Sequence, residues 1–188
     1  LLGAGAGEQA LESTRRAVQA AATQPRAELV PIAQLALGSM LLARGDRPAA
    51  MLAYADAVTS AEQAGATALV LEACRLTGDT AVLLGMEAQA IAFWSRAVRL
   101  AEAEPLHGAL GSAGHCARAM AMLCRKRGLH DAAQRHWDAA RRLEAVDVEA
   151  LRATSEPRGA AVPSPAAVAP PAAIVPFAPS TRTAPFTG

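Results

Sequence analysis

Three glycines set the frame into which this chain has to fold. Gly45, Gly85 and Gly128 stand 40 and 43 residues apart. Each is followed by Ala at +5 (Ala50, Ala90, Ala133), an aromatic at +9 (Tyr54, Trp94, Trp137) and Ala at +12 (Ala57, Ala97, Ala140). Seven residues before the first two glycines stand Gly38 and Gly78, with Ala121 in the third copy. Only four aromatics precede residue 155, and three of them occupy this one slot. Self-similarity at such a period is the mark of stacked supersecondary units, each too small to bury its own apolar face.

The spacing has a mechanical reading. Positions separated by +4, +3 and +7 lie on one face of a helix, so Ala, aromatic and Ala make a single stripe. Small residues let neighbouring helices approach, and the aromatic is expected to fill the gap between hairpins. The glycine at zero falls where the preceding helix must end and turn, a place that suits a residue with φ > 0. Composition agrees with helices rather than sheet: 52% of the chain is hydrophobic, dominated by Ala and Leu, while aromatics make up 3%. Ala and Leu favour helices, whereas β-branched and aromatic residues favour strands.

Gly and Pro punctuation then predicts an all-α chain with helices near 8–23, 27–44, 47–65, 67–84, 87–104, 107–127 and 130–152. Pro48 suits the first turn of its helix, and Asp46 and Asp131 suit helix caps. The opening Gly3-Ala-Gly5-Ala-Gly7 reads as a lead-in. Gly5, 40 residues before Gly45 and followed in register by Ala10 and Ala17, with Thr14 in the aromatic slot, suggests a weak fourth copy. The chain divides into an N-terminal helix, cap or half repeat (1–26), three helical hairpins (27–154) and a Pro- and Ala-rich tail (155–188). Recurrent Pro with no apolar period predicts disorder in the tail, because such a segment cannot bury enough surface to offset the entropy of ordering.

The pattern Gly-x6-Gly-x4-Ala-x3-aromatic-x2-Ala resembles the tetratricopeptide repeat, whose motif runs W-x2-L-G-x2-Y, A-x3-F and P. Leu37-Gly38 is similar to its Leu-Gly pair and Trp94 to its Phe. The period exceeds the usual figure of about 34. Gln34, Cys74 and Ala117 replace the leading Trp, and Glu62, Glu102 and Ala145 the closing Pro. The resemblance is to the long-period variants of the family and covers roughly residues 27–145. It implies a right-handed solenoid of about seven helices whose first helices line a concave groove. Carried through the register, the groove positions are Leu35, Ser39, Leu42 and Ala43 from the first repeat, and Arg75, Asp79, Val82 and Leu83 from the second. The third contributes Arg118, Met122, Arg125 and Lys126. Such a groove is apolar at one end and basic at the other, suited to a segment with an apolar anchor and an acidic end that Arg can grip with its donor fork. The chain contains no Asn, so the family's carboxylate clamp is not expected.

Residues that could carry other chemistry lack the necessary spacing. Cys116 and Cys124 are two turns apart and roughly 80° around a helix, and no C-x2-C or H-x3-H pair joins His107, His115, His130 or His136 to them, so no metal site is expected. Cys74, Cys116 and Cys124 read as buried packing residues in a reducing compartment. No catalytic signature or phosphate-binding glycine loop is present, and Asp56, Asp138 and Glu144 read as outer helix faces. Arg141 and Arg142 fit dipole complementation at a helix end. No enzyme activity and no cofactor are expected.

A formal net charge of +1 provides no field to attract nucleic acid. The one long uncharged stretch, residues 159–181, is interrupted by six prolines, including Pro163 and Pro176, so no membrane insertion is expected. The expectation is a cytoplasmic, bacterial protein-interaction scaffold, in a setting such as a secretion or envelope assembly, that takes a peptide or helix of a partner in its groove. The alternative is a sensory or regulatory fragment of a larger regulator or enzyme. A third reading has the tail, through Ile174, Val175, Phe177 and Phe186, covering the groove until a partner displaces it. Apolar ends of a short stack also point to a homodimer.

Overall fold

The computed structural model of the chain describes residues 2–104 and 109–155, all within one compact unit, Leu1–Glu156. Seven helices follow one another: α1 (Leu2–Ala22), α2 (Leu29–Ala43), α3 (Arg47–Gln63), α4 (Thr67–Leu83), α5 (Glu87–Ala103), α6 (Leu110–Lys126) and α7 (His130–Ser155). There is no strand among the described residues. Each helix packs on the next, so α2–α3, α4–α5 and α6–α7 form three stacked hairpins, and α4 also meets α6 and α2 across the hairpins. This is an all-α helical-hairpin solenoid. The predicted tail lies outside the described residues except for Ser155, which closes α7. Among the described residues no helix is long and apolar enough to cross a membrane.

The glycine frame acts through one repeated turn. Gly45, Gly85 and Gly128 have φ of 84°, 74° and 75°. At each, the glycine N–H and the following N–H bond back to the carbonyls of the last helical turn: Gly45 to Leu42 at 2.9 Å and Asp46 to Leu41 at 3.0 Å, with the same pairs at Gly85–Met86 and Gly128–Leu129. This double bond from a left-handed residue is the Schellman motif. Gly65 (φ 65°) makes the same turn between the first and second hairpins, so the same three-residue link serves within the hairpins and between the first two. Asp46 caps α3 by accepting from the Ala49 N–H at 3.2 Å, with Pro48 in the first turn. Asp131 instead lies inside the first turn of α7, because the Ala133 N–H bonds to the Leu129 carbonyl and the helix starts two residues earlier than a cap at Asp131 would set it. α6 begins at Leu110 rather than near residue 107, which lies outside the described residues.

The alanine stripe is buried throughout: Ala50, Ala57, Ala90 and Ala97 are fully enclosed, and Ala133 and Ala140 nearly so. The aromatic packs within its own hairpin as well as lying in a core shared with the next. A Cβ added at Gly38 would stand 2.4 Å from the Tyr54 ring, and one at Gly78 2.4 Å from Trp94 Nε1. Each ring therefore lies on the bare backbone of the first helix of its own hairpin. The rings of Tyr54 and Trp94 are buried, whereas Trp137, in the repeat that has Ala121 in place of the glycine, is only partly so.

Two cores result. One joins Leu11 of α1 to Leu41, Ala50, Ala53 and Tyr54 of the first hairpin, and the other runs from Ala57 to Leu143. α1 is continuous from Leu2, glycines included. Gly in a helix costs about 1 kcal/mol relative to Ala, too little to end one that is docked further along. Its buried residues are Leu11 and Ala21, while Ala10 and Ala17 are exposed. The Gly5 register is therefore not a fourth copy, since Gly5 lies within α1 rather than in a turn. Glu8 pairs with Arg44 at 2.7 Å, tying α1 to the end of α2. Glu62 and Glu102, where the motif's proline would stand, reach Arg96 and Arg142 on the second helices of the following hairpins.

Candidate functional site

The face where α4 meets α6 holds a cavity of about 620 Å3, within the usual range for ligand sites. α6 forms one wall with His115, Arg118, Ala119, Met122, Leu123 and Lys126. These lie at i, +3, +4, +7, +8 and +11, so they share one face over about 16 Å of helix. α4 forms the other wall with Asp79 and Val82, and α5 contributes Trp94 and Glu87. The middle of the groove is apolar, and two of its residues are unusually open: Met122 is 63% exposed and Val82 39%.

Its polar end is a network bridging three helices. Asp79 accepts from Arg75 Nη1 at 3.0 Å and from Trp94 Nε1 at 3.2 Å, and His115 Nε2 lies 3.1 Å from the same carboxylate. Glu72 accepts from Arg75 Nε at 2.9 Å and from Ser112 Oγ at 2.7 Å. The hydrogen bond from Arg75 is the main cause that holds the Glu72 carboxyl below its ordinary range, against burial, which pushes it up. The same bond raises the Arg75 pKa further and keeps it charged. Asp79 has a counterpart one repeat back, where Ser39 Oγ lies 3.1 Å from Tyr54 Oη. The residue after the packing glycine thus holds the polar tip of the ring that lies on that glycine. In the third copy this residue is Met122, which cannot.

Of the groove positions read from the sequence, Asp79, Val82, Arg118, Met122 and Lys126 come together around this cavity. Leu35 and Leu42 are half-buried against the core instead, and Ser39 serves Tyr54. Arg125 is exposed outside the cavity. The expected basic end is largely neutralised. Arg75 is held between Glu72 and Asp79, and Arg118 pairs with Glu144 of α7. Glu144 therefore turns inward, over Gly114, rather than to the outer face. Among the cations lining the cavity only Lys126 makes no ion pair with the described residues.

From sequence His115 enters only as a possible metal ligand, and Glu87 and the Glu72–Ser112 contact do not enter at all. His115 was within reach as a groove residue, because it precedes Arg118 by three and Met122 by seven on one helix. Glu72 was not, since its role depends on Ser112, 40 residues away.

Nucleophilic chemistry has little to work with nearby. Cys74 and Cys116 are buried; burial pushes the Cys74 thiol up to about 12 and Cys116 higher still. Both are therefore thiols, not the thiolates that react. Among the described residues no three His, Cys, Asp or Glu side chains are placed to hold a metal ion. No protein-family model, curated protein or solved structure matches this chain.

Proposed function

We propose that the chain is an interaction module of the tetratricopeptide type, which holds a segment of a partner protein in the groove between its second and third hairpins and carries out no chemistry of its own. The observation that supports this reading most is the combination of a groove of about 620 Å3 with open apolar side chains at its centre, Met122 at 63% and Val82 at 39% exposure. Isolated exposed apolar residues are ordinary. Apolar residues that share a concave surface with a ring of polar groups are characteristic of binding sites. The charged groups around it fit this reading, because Asp79, Glu87 and Arg118 are each engaged by a neighbour, which leaves the apolar centre as the open surface.

The test is site-resolved crosslinking in source-cell lysate, with a photoreactive residue placed at Met122 in one sample and at the exposed Gln89 in another. A discrete adduct at position 122, absent at 89 and lost on Val82→Glu, is the expected result. Equal labelling at both positions, or none at 122, counts against the groove as the binding surface.

A further inference from the structure

Which kind of segment the groove takes follows from hydrogen bonding, given the docking reading above. An extended peptide brings unpaired N–H and C=O groups into whatever it lies against, and each needs a partner. This groove has few to offer. Asp79 already accepts from Arg75 and Trp94 and faces His115, Arg118 is paired with Glu144, and Glu87 is paired with Arg127. The centre between them, Val82, Ala119, Met122 and Leu123, carries no polar side chain. A helix brings no such demand, because its backbone bonds are internal.

Charge narrows the choice further. Lys126 is the one lining cation with no ion pair among the described residues, and it stands four residues, one turn of about 6 Å, beyond Met122 on α6. We propose that the groove's occupant is an amphipathic α-helix of a partner protein, lying along α6, with an apolar side chain seated between Val82 and Met122 and a carboxylate one turn away facing Lys126. A helix places residues four apart on one face at the same pitch as α6, so anchor and acid match Met122 and Lys126 without distortion.

The experiment is a selection on the full chain with two displayed peptide libraries. One is Ala- and Gln-rich with a single randomised face, which favours helix; the other is random with a fixed central proline, which breaks it. The expected winners come from the helix-favouring library and carry an apolar residue and an Asp or Glu four positions apart. Their binding is lost on Met122→Lys and falls about five-fold on Lys126→Glu, and replacing the peptide's acid by Lys restores affinity for Lys126→Glu but not for the wild type. Circular dichroism of each variant establishes that it is folded. Winners from the proline library that still depend on Met122, or helical winners indifferent to the charge swap, overturn the helix-and-acid proposal and leave groove docking intact. Winners indifferent to both Met122→Lys and Val82→Glu, or no winners from either library, overturn groove docking itself.

Discussion

Gly78 shows how much one missing methyl group decides. As a helical residue it is unfavourable by about 1 kcal/mol relative to Ala, yet a Cβ there meets Trp94 at 2.4 Å. Gly78→Ala is expected to destabilise the protein by about 2 kcal/mol despite its better propensity, because the indole has to shift and give up its hydrogen bond to Asp79. Gly111→Ala, with open space around it, is expected to be neutral or stabilising by about 0.5 kcal/mol. Urea unfolding followed by tryptophan fluorescence checks the pair.

Titration belongs to the same scale. The Glu72 pKa is held below its ordinary value of 4.5 in the folded state, chiefly by Arg75, so its contribution to stability is present above that value and is lost as pH falls through the depressed one. Burial lowers the His136 pKa below 6.5. Protonation therefore opposes folding there, and stability begins to fall as pH drops through 6.5. Glu72→Gln should flatten the lower limb of a stability–pH curve and His136→Gln the upper. Cys74 and Cys116 should resist iodoacetamide in the native protein, while the partly exposed Cys124 is alkylated; mass spectrometry after mild labelling distinguishes them.

At the scale of the element, each helix starts and stops for a local reason, and the reasons are unequal. The C-termini of α2, α3, α4 and α6 share one glycine turn, whereas at the N-termini α3 has a side-chain cap, from Asp46, and α2, α4, α5 and α6 have none. α5 starts from Met86, which caps nothing. Asp46→Ala is expected to cost about 1 kcal/mol, and Met86→Ser to recover a similar amount for α5, since a hydroxyl at that position accepts from the first free N–H groups. Thermal unfolding of the two single variants and the double variant measures this. The two sites lie on different helices, so their effects should add.

The whole molecule behaves as a short stack in which each hairpin leans on its neighbours. α1 closes one end: Leu11 is buried with Leu41 and Tyr54, and Glu8 holds Arg44. Removing residues 1–26 uncovers that core and is expected to lower Tm by about 5–10 °C. The groove between α4 and α6 lies on the second core, so binding of a groove-selected peptide below the new Tm should be unchanged. A loss of binding in proportion to the loss of stability would instead mean that the stack communicates along its length.

The sequence by itself determined that the chain is all-α, that its helices come in three hairpins, and where they turn. These properties rest on local rules, the helical period and the tolerance of glycine for φ > 0, and they repeat three times at known spacing. The resemblance to the tetratricopeptide repeat, carried through the register, pointed to Val82, Met122 and Lys126, which line the cavity. Register does not carry charge. That Arg118 is neutralised, that Glu144 turns inward and that the rings lie on glycines of their own hairpins were decided only by tertiary structure, whereas Arg75 meets Glu72 and Asp79 on its own helix. Those long-range features depend on partners 16 to 30 residues away, and no periodicity along one helix specifies which side chain stands opposite it on another.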